Sequence, residues 1–180
     1  MMAPFLPMLA VRGEPFDSAE FLFEVKWNGV RALAASNAGH WQLWGRDLTD
    51  YSLRYPELGV LSRLPSGTVL DGEVVLLRHG LPDLEAILAR HQLVSTARIR
   101  QRCQVEPVTY VLFDALYANG RSLLAEPLSV RRQVLQDLLE SFDEPRLVFS
   151  AGIIECGSAY FEQAVAQGQE GVMAKHLASP

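Results

Sequence analysis

The chain is 180 residues long, 49% hydrophobic and 21% charged, with a formal net charge of −5. That length holds one domain with a full core, and the composition excludes a disordered or repeat chain. The acidic total excludes a chain that grips duplex DNA by bulk charge, so any hold on nucleic acid is expected to be weak. Residues 1–11 are apolar but lack a basic leader and are broken by Pro4 and Pro7. Neither a signal peptide nor a spanning helix fits, and a cytoplasmic location is expected. Cys103 and Cys156 are the two cysteines. Without a Cys-x-x-Cys pair they read as buried thiols, not as a metal knuckle or a disulfide framework.

In chain order, residues 21–26, 30–36 and 40–44 read as short strands of a β-meander, with Asn37-Ala38-Gly39 as the turn between the last two. Tyr55-Pro56-Glu57-Leu58 opens a short helical stretch that Pro65-Ser66-Gly67 ends, and residues 68–77 form an apolar strand containing Asp71-Gly72-Glu73. Residues 82–91 have helical spacing, with Leu84, Ile87, Leu88 and His91 on one face. Another turn or two follows through Arg102, and the arginines of this stretch are expected to face solvent. Residues 108–117 form the strongest strand, ending at the Asn119-Gly120 turn. Ser129 is the expected N-cap of a helix through Phe142, with Val134, Leu135, Leu138 and Phe142 as its buried stripe. A strand at 146–150, a helix at 158–167 closed by Gly168, and a strand at 171–176 complete the chain. Strands and helices mix without βαβ periodicity, repeats or a linker, which makes the class α+β.

The chemistry begins at Lys26-Trp27-Asn28-Gly29-Val30-Arg31. Lys26 stands at a predicted strand end, Gly29 lets the backbone turn tightly and approach a ligand, and Arg31 offers a planar fork to ribose or phosphate oxygens. An ordinary lysine is almost wholly protonated at neutral pH. A nucleophilic Lys26 therefore needs cationic neighbours such as Arg31 and Lys175, together with partial burial, to favour its neutral form. Glu73 and Glu170 are hard oxygen ligands suited to a Mg²⁺ that keeps most of its water. Asp114 reads equally as a cap for the following turn and as a ligand contact.

Followed in order by Arg46, Asp71-Gly72-Glu73, Phe113-Asp114-Ala115-Leu116-Tyr117 and Glu170-Gly171-Val172-Met173-Ala174-Lys175, the first segment resembles one superfamily. It is that of the nucleotidyltransferases: ATP-dependent DNA ligases, RNA ligases and mRNA-capping enzymes. The likeness is closest to bacterial ligase-D-type DNA ligases, whose first motif reads K-W-D-G-x-R, and it covers nearly the whole chain. It implies a ligase/capping nucleotidyltransferase fold, ATP-grasp-like, with antiparallel sheets flanked by helices. Residues 1–180 would form one adenylation domain, stopping before the last motif and the OB-fold domain.

The same resemblance implies that Lys26 becomes lysyl-AMP and that Arg31 and Arg46 contact the nucleotide or the DNA end. Glu73 would bind ribose or a metal, Phe113 would stack on adenine, and Glu24 would line the adenine pocket. Glu170 would help hold a divalent metal, and Lys175 would lie near the phosphates. ATP with Mg²⁺ or Mn²⁺ is implied, as is nicked duplex DNA, sealed in repair, recombination or replication. This chain alone would hold that DNA weakly, acting with a partner that supplies an OB-fold or with other repair proteins, and no membrane is involved. The alternatives are an RNA ligase, a capping-type nucleotidyltransferase, and a non-catalytic nucleotide-binding module. Asn28 stands where the family motif has Asp, which keeps hydrogen bonding but removes a charge. It is expected to weaken adenylation without abolishing it.

Overall fold

The computed structural model describes residues 6–180. Its elements run β1 (Ser18–Val25), β2 (Val30–Asn37), β3 (His40–Gly45), a 3-10 helix (Pro56–Arg63), β4 (Thr68–Val75), β5 (Leu77–Arg78) and β6 (Leu81–Pro82). They continue with α1 (Leu84–His91), α2 (Thr96–Val105), β7 (Thr109–Ala118), β8 (Arg121–Ser122), α3 (Leu128–Phe142), β9 (Leu147–Phe149), β10 (Gly152–Glu155), α4 (Gly157–Ala166) and β11 (Val172–His176). The main sheet has the order β3-β2-β4-β7-β8, antiparallel throughout, with β9 added parallel to β7. A second antiparallel sheet has the order β10-β1-β11.

The first three strands are therefore not one meander, because β1 pairs with β10 and β11 while β2 pairs with β3 and β4. The chain leaves one sheet and enters the other at residues 26–29. Gly29 makes this crossing possible by close approach: a Cβ there would lie 2.3 Å from the Val74 carbonyl oxygen. Its role is to press the backbone against β4, where the sequence points to a tight turn beside a ligand.

Strand parity divides the residues between two environments. Ala32 and Ala34 of β2 join the main core with Leu58 and Leu61 of the 3-10 helix, Ile87 of α1 and Leu135 and Leu139 of α3. Each fully buried leucine of this kind contributes about 1.5–3 kcal/mol. Leu33 and Ala35 point the other way, into a smaller cluster with Trp44, Val69 and Leu116. Strand β7 breaks strict alternation twice. Its register against β4 steps from Asp114 opposite Asp71 to Leu112 opposite Gly72, leaving Phe113 as the extra residue of a β-bulge, and a second step leaves out Leu116. The bulge explains how Leu112 and Ala115, three positions apart, both lie in the main core.

Several helix details differ from the sequence reading. Residues 77–82 form a hairpin rather than the end of a strand and the start of a helix. The α1 N-cap is Asp83, whose carboxylate accepts from the Ala86 amide at 2.9 Å. Leu84 and Leu88 of α1 are exposed, and its buried residues are Ile87 and Arg90. Arg90 does not face solvent: it pairs with Glu57 at 3.3 Å. Helix α3 begins at Leu128, with Pro127 in the cap position instead of Ser129. Its first amides are satisfied by main chain, Leu128 N–H donating to the Ser179 carbonyl at 2.8 Å and Ser129 N–H to the Leu177 carbonyl at 3.0 Å. The buried positions of α3 are Leu128, Arg131, Arg132, Leu135 and Leu139, with Val134, Leu138 and Phe142 only partly covered. Cys156 is exposed, and half-buried Cys103 donates its thiol proton to Glu57 at 2.9 Å. No helix among the described residues is long and apolar enough to cross a membrane.

Candidate active site

Lys26 lies one residue past β1, at the crossing between the sheets. Its amide donates to the Gly171 carbonyl at 2.9 Å, and its Nζ pairs with the carboxylate of Glu170, the preceding residue. Both side chains are partly open to solvent. The sequence anticipates cations beside Lys26, whereas its direct partner is an anion. As an ammonium, Nζ has no lone pair, so a nucleophilic role would require that it first lose a proton.

Arg31, at the start of β2, is directly opposite Glu73 of β4, and Asp71 lies two residues earlier on the same face. The guanidinium donates to both Asp71 oxygens, from Nε at 2.6 Å and from Nη2 at 2.7 Å, and its Cζ sits 4.6 Å from the centre of the Phe113 ring. Lys175 of β11 reaches the same ring, with Nζ 4.1 Å from the centroid, while its ammonium pairs with Glu24 of β1 at 2.6 Å. Phe113 thus carries cations from both sheets. The fold brings Glu24, Lys26, Arg31, Glu73, Phe113, Glu170 and Lys175 into one charged set spanning the two sheets. Arg46 is exposed just after β3 and joins this set through its charge on Glu73.

Burial pushes the Glu73 carboxyl up to about 7 and the nearby Asp71 charge adds to the rise, against the pull of Arg31, Lys26 and Arg46. Burial also raises Asp71, although its hydrogen bonds and charge pairing with Arg31 oppose this. Lys175 is held below the ordinary lysine range by burial first, with Glu24 opposing.

Asp71, Asp114 and Arg132 make contacts that motif spacing does not single out. Asp114 receives Arg131 of α3 through two hydrogen bonds, at 2.9 and 3.0 Å. Arg132 pairs with Glu24 and donates to the carbonyls of Phe113 at 3.2 Å and Ser150 at 2.7 Å. The position of Asp71 two residues before Glu73 in a strand is a usable signal, since both must share a face.

The donor set suits a divalent cation. Glu73 and Glu170 supply two hard carboxylates, and a cation would compensate a Glu73 that burial leaves partly protonated near neutrality. Among the described residues no group of three or more His, Cys, Asp or Glu forms a metal cage. Any ion would therefore complete its shell with water and phosphate oxygens.

A family model described as "ATP dependent DNA ligase domain" matches residues 7–180. The SPbeta prophage-derived DNA ligase-like protein LigB of Bacillus subtilis (strain 168) is 33% identical over 168 residues, covering 93% of this chain and 58% of that protein. The multifunctional non-homologous end joining protein LigD of Pseudomonas aeruginosa is 34% identical over 176 residues, covering 96% of this chain and 20% of that protein. The solved structure of mycobacterial DNA ligase D complexed with ATP and MES superposes with a TM-score of 0.77 at 28% identity, over 97% of this chain and 55% of that one. The α+β architecture is therefore the ligase nucleotidyltransferase fold, and the chain spans about half the length of LigB. By the match over residues 7–180, this chain belongs to the ATP-dependent DNA ligase domain family.

Proposed function

We propose that the chain is the adenylating part of an ATP-dependent DNA ligase acting in the cytoplasm on nicked duplex DNA in repair and recombination, with Lys26 as the nucleophile. The observation that carries this reading is Lys26 Nζ at the seam of the two sheets, within one charged set that includes Glu170, Glu73 and a Phe113 ring flanked by Arg31 and Lys175.

In the proposed step the Nζ lone pair forms a bond to the α-phosphorus of ATP, the bond from that phosphorus to the bridging oxygen breaks, and pyrophosphate leaves in line. Glu170, already in contact with Nζ, is an acceptor for the proton that Nζ must lose. Arg31 and Lys175 are suited to phosphate oxygens, and the Phe113 ring beside them is suited to stacking on adenine. Mg²⁺ or Mn²⁺, held by Glu73 and Glu170, would neutralise charge on the phosphates. Closure of the nick is proposed to require an OB-fold from outside residues 1–180, whether on the same polypeptide or on a partner.

Incubation with α-phosphate-labelled ATP and Mg²⁺ or Mn²⁺ is expected to yield an acid-labile protein label that Lys26→Ala abolishes and that labelled GTP does not give. A label that survives in Lys26→Ala overturns the assignment. A second reading, nucleotide binding without transfer, is favoured by the Lys26 pairing with Glu170 and by Asn28 in the motif. It predicts ATP binding with no covalent label.

A further inference from the structure

Glu24 is buried, 2% exposed, and its two carboxylate oxygens are divided between two cations. One oxygen receives Arg132 of α3 and the other receives Lys175 of β11. The two cations are held very differently. Arg132 is also fixed by the Phe113 and Ser150 carbonyls, and its Cζ lies 4.5 Å from the centre of the Phe149 ring. Lys175 is a flexible stem whose ammonium touches only Glu24 and the Phe113 face among the described residues. A buried carboxylate stripped of its cation is strongly disfavoured, so a lone Lys175 would be locked to Glu24. Burial already weakens the hold on the Lys175 charge.

We propose that Arg132 is a positioning residue: it keeps Glu24 compensated, so that Lys175 can leave Glu24 and Phe113 for the phosphates of an incoming nucleotide. The proposal rests on the nucleotide-binding reading given above. It makes Lys175 a stored cation and Arg132 the fixed charge that allows its release. Arg132 itself stays in place, because a guanidinium keeps its proton and this one has four contacts.

A double-mutant cycle with two ligands tests this. Dissociation constants for ATP and for adenosine are measured by calorimetry on the full chain, on Arg132→Met, on Glu24→Gln and on the double variant. Arg132→Met is expected to weaken ATP about tenfold while leaving adenosine within about twofold, since adenosine has no phosphates for Lys175 to reach. In the Glu24→Gln background the same change should alter ATP binding by less than about twofold. Equal weakening of ATP and adenosine, or the same factor in both backgrounds, overturns the proposal in favour of a purely structural role. Arg132→Lys, which keeps the charge, covers the case in which Arg132→Met does not fold. It is expected to bind ATP within about threefold of the parent chain, and a tenfold loss counts against the proposal. Absence of ATP binding by the unmodified chain would instead sink the nucleotide-binding reading.

Discussion

Burial raises the Glu73 carboxyl from 4.5 to about 7, with Asp71 adding to the rise and Arg31, Lys26 and Arg46 opposing it. Between these values the folded chain holds a proton that the unfolded chain has lost, so stability falls as pH rises through the window. Glu73→Gln is expected to flatten the melting temperature between about pH 5 and about pH 7 and to raise it above that range, while lowering lysyl-AMP formation at least tenfold. An unchanged slope would assign the titration to another group. At this scale the motif from Lys26 to Arg31 is legible because its chemistry is contiguous in the chain. Arg90, Arg131 and Arg132 are not, since charged side chains are seldom buried and these three are. Only the fold reveals Glu57, Asp114 and Glu24 as their partners.

Helices α1 and α2 are tied to the 3-10 helix by one buried polar cluster. Glu57 of the 3-10 helix receives Arg90 of α1 at 3.3 Å, the Cys103 thiol of α2 at 2.9 Å and the Val108 amide at 3.3 Å. Three elements and the approach to β7 thus meet at one carboxylate. Glu57→Ala leaves the Arg90 charge buried and unpaired, and is expected to cost about 3–5 kcal/mol in urea unfolding, with little change in any lysyl-AMP formed per folded molecule. A loss below about 1 kcal/mol would mean that water reaches Arg90. Strands β2 and β4 are legible in the sequence because nearly all of their positions are buried, which leaves short apolar runs bounded by turn residues. The pairing of β1 with β10 and β11 is not, because no local pattern tells a strand which distant edge it will join.

For the molecule as a whole, the net charge of −5 is set against a local gathering of Arg31, Arg46, Lys26 and Lys175 around Glu73 and the Phe113 ring. Local cations can hold a nucleotide, but a duplex presents phosphates along its whole length to an acidic surface. The chain alone is expected to bind nicked duplex DNA more weakly than about 1 μM at roughly 150 mM salt, and to lose most of that binding by about 300 mM. Nanomolar binding in a filter or polarisation assay at the lower salt would show a basic face that the charge total conceals.

The extra residue at Phe113 has a consequence for how tolerant this strand is to change. A sheet without bulges is the more regular object: every amide keeps its ladder partner and the core stays in phase along the strand. Deleting Phe113 would restore that regularity and leave Leu112 and Ala115 two positions apart, still on one face, so the aromatic ring alone would be lost. The bulge therefore adds an aromatic ring to the strand without putting the packing beyond it out of phase.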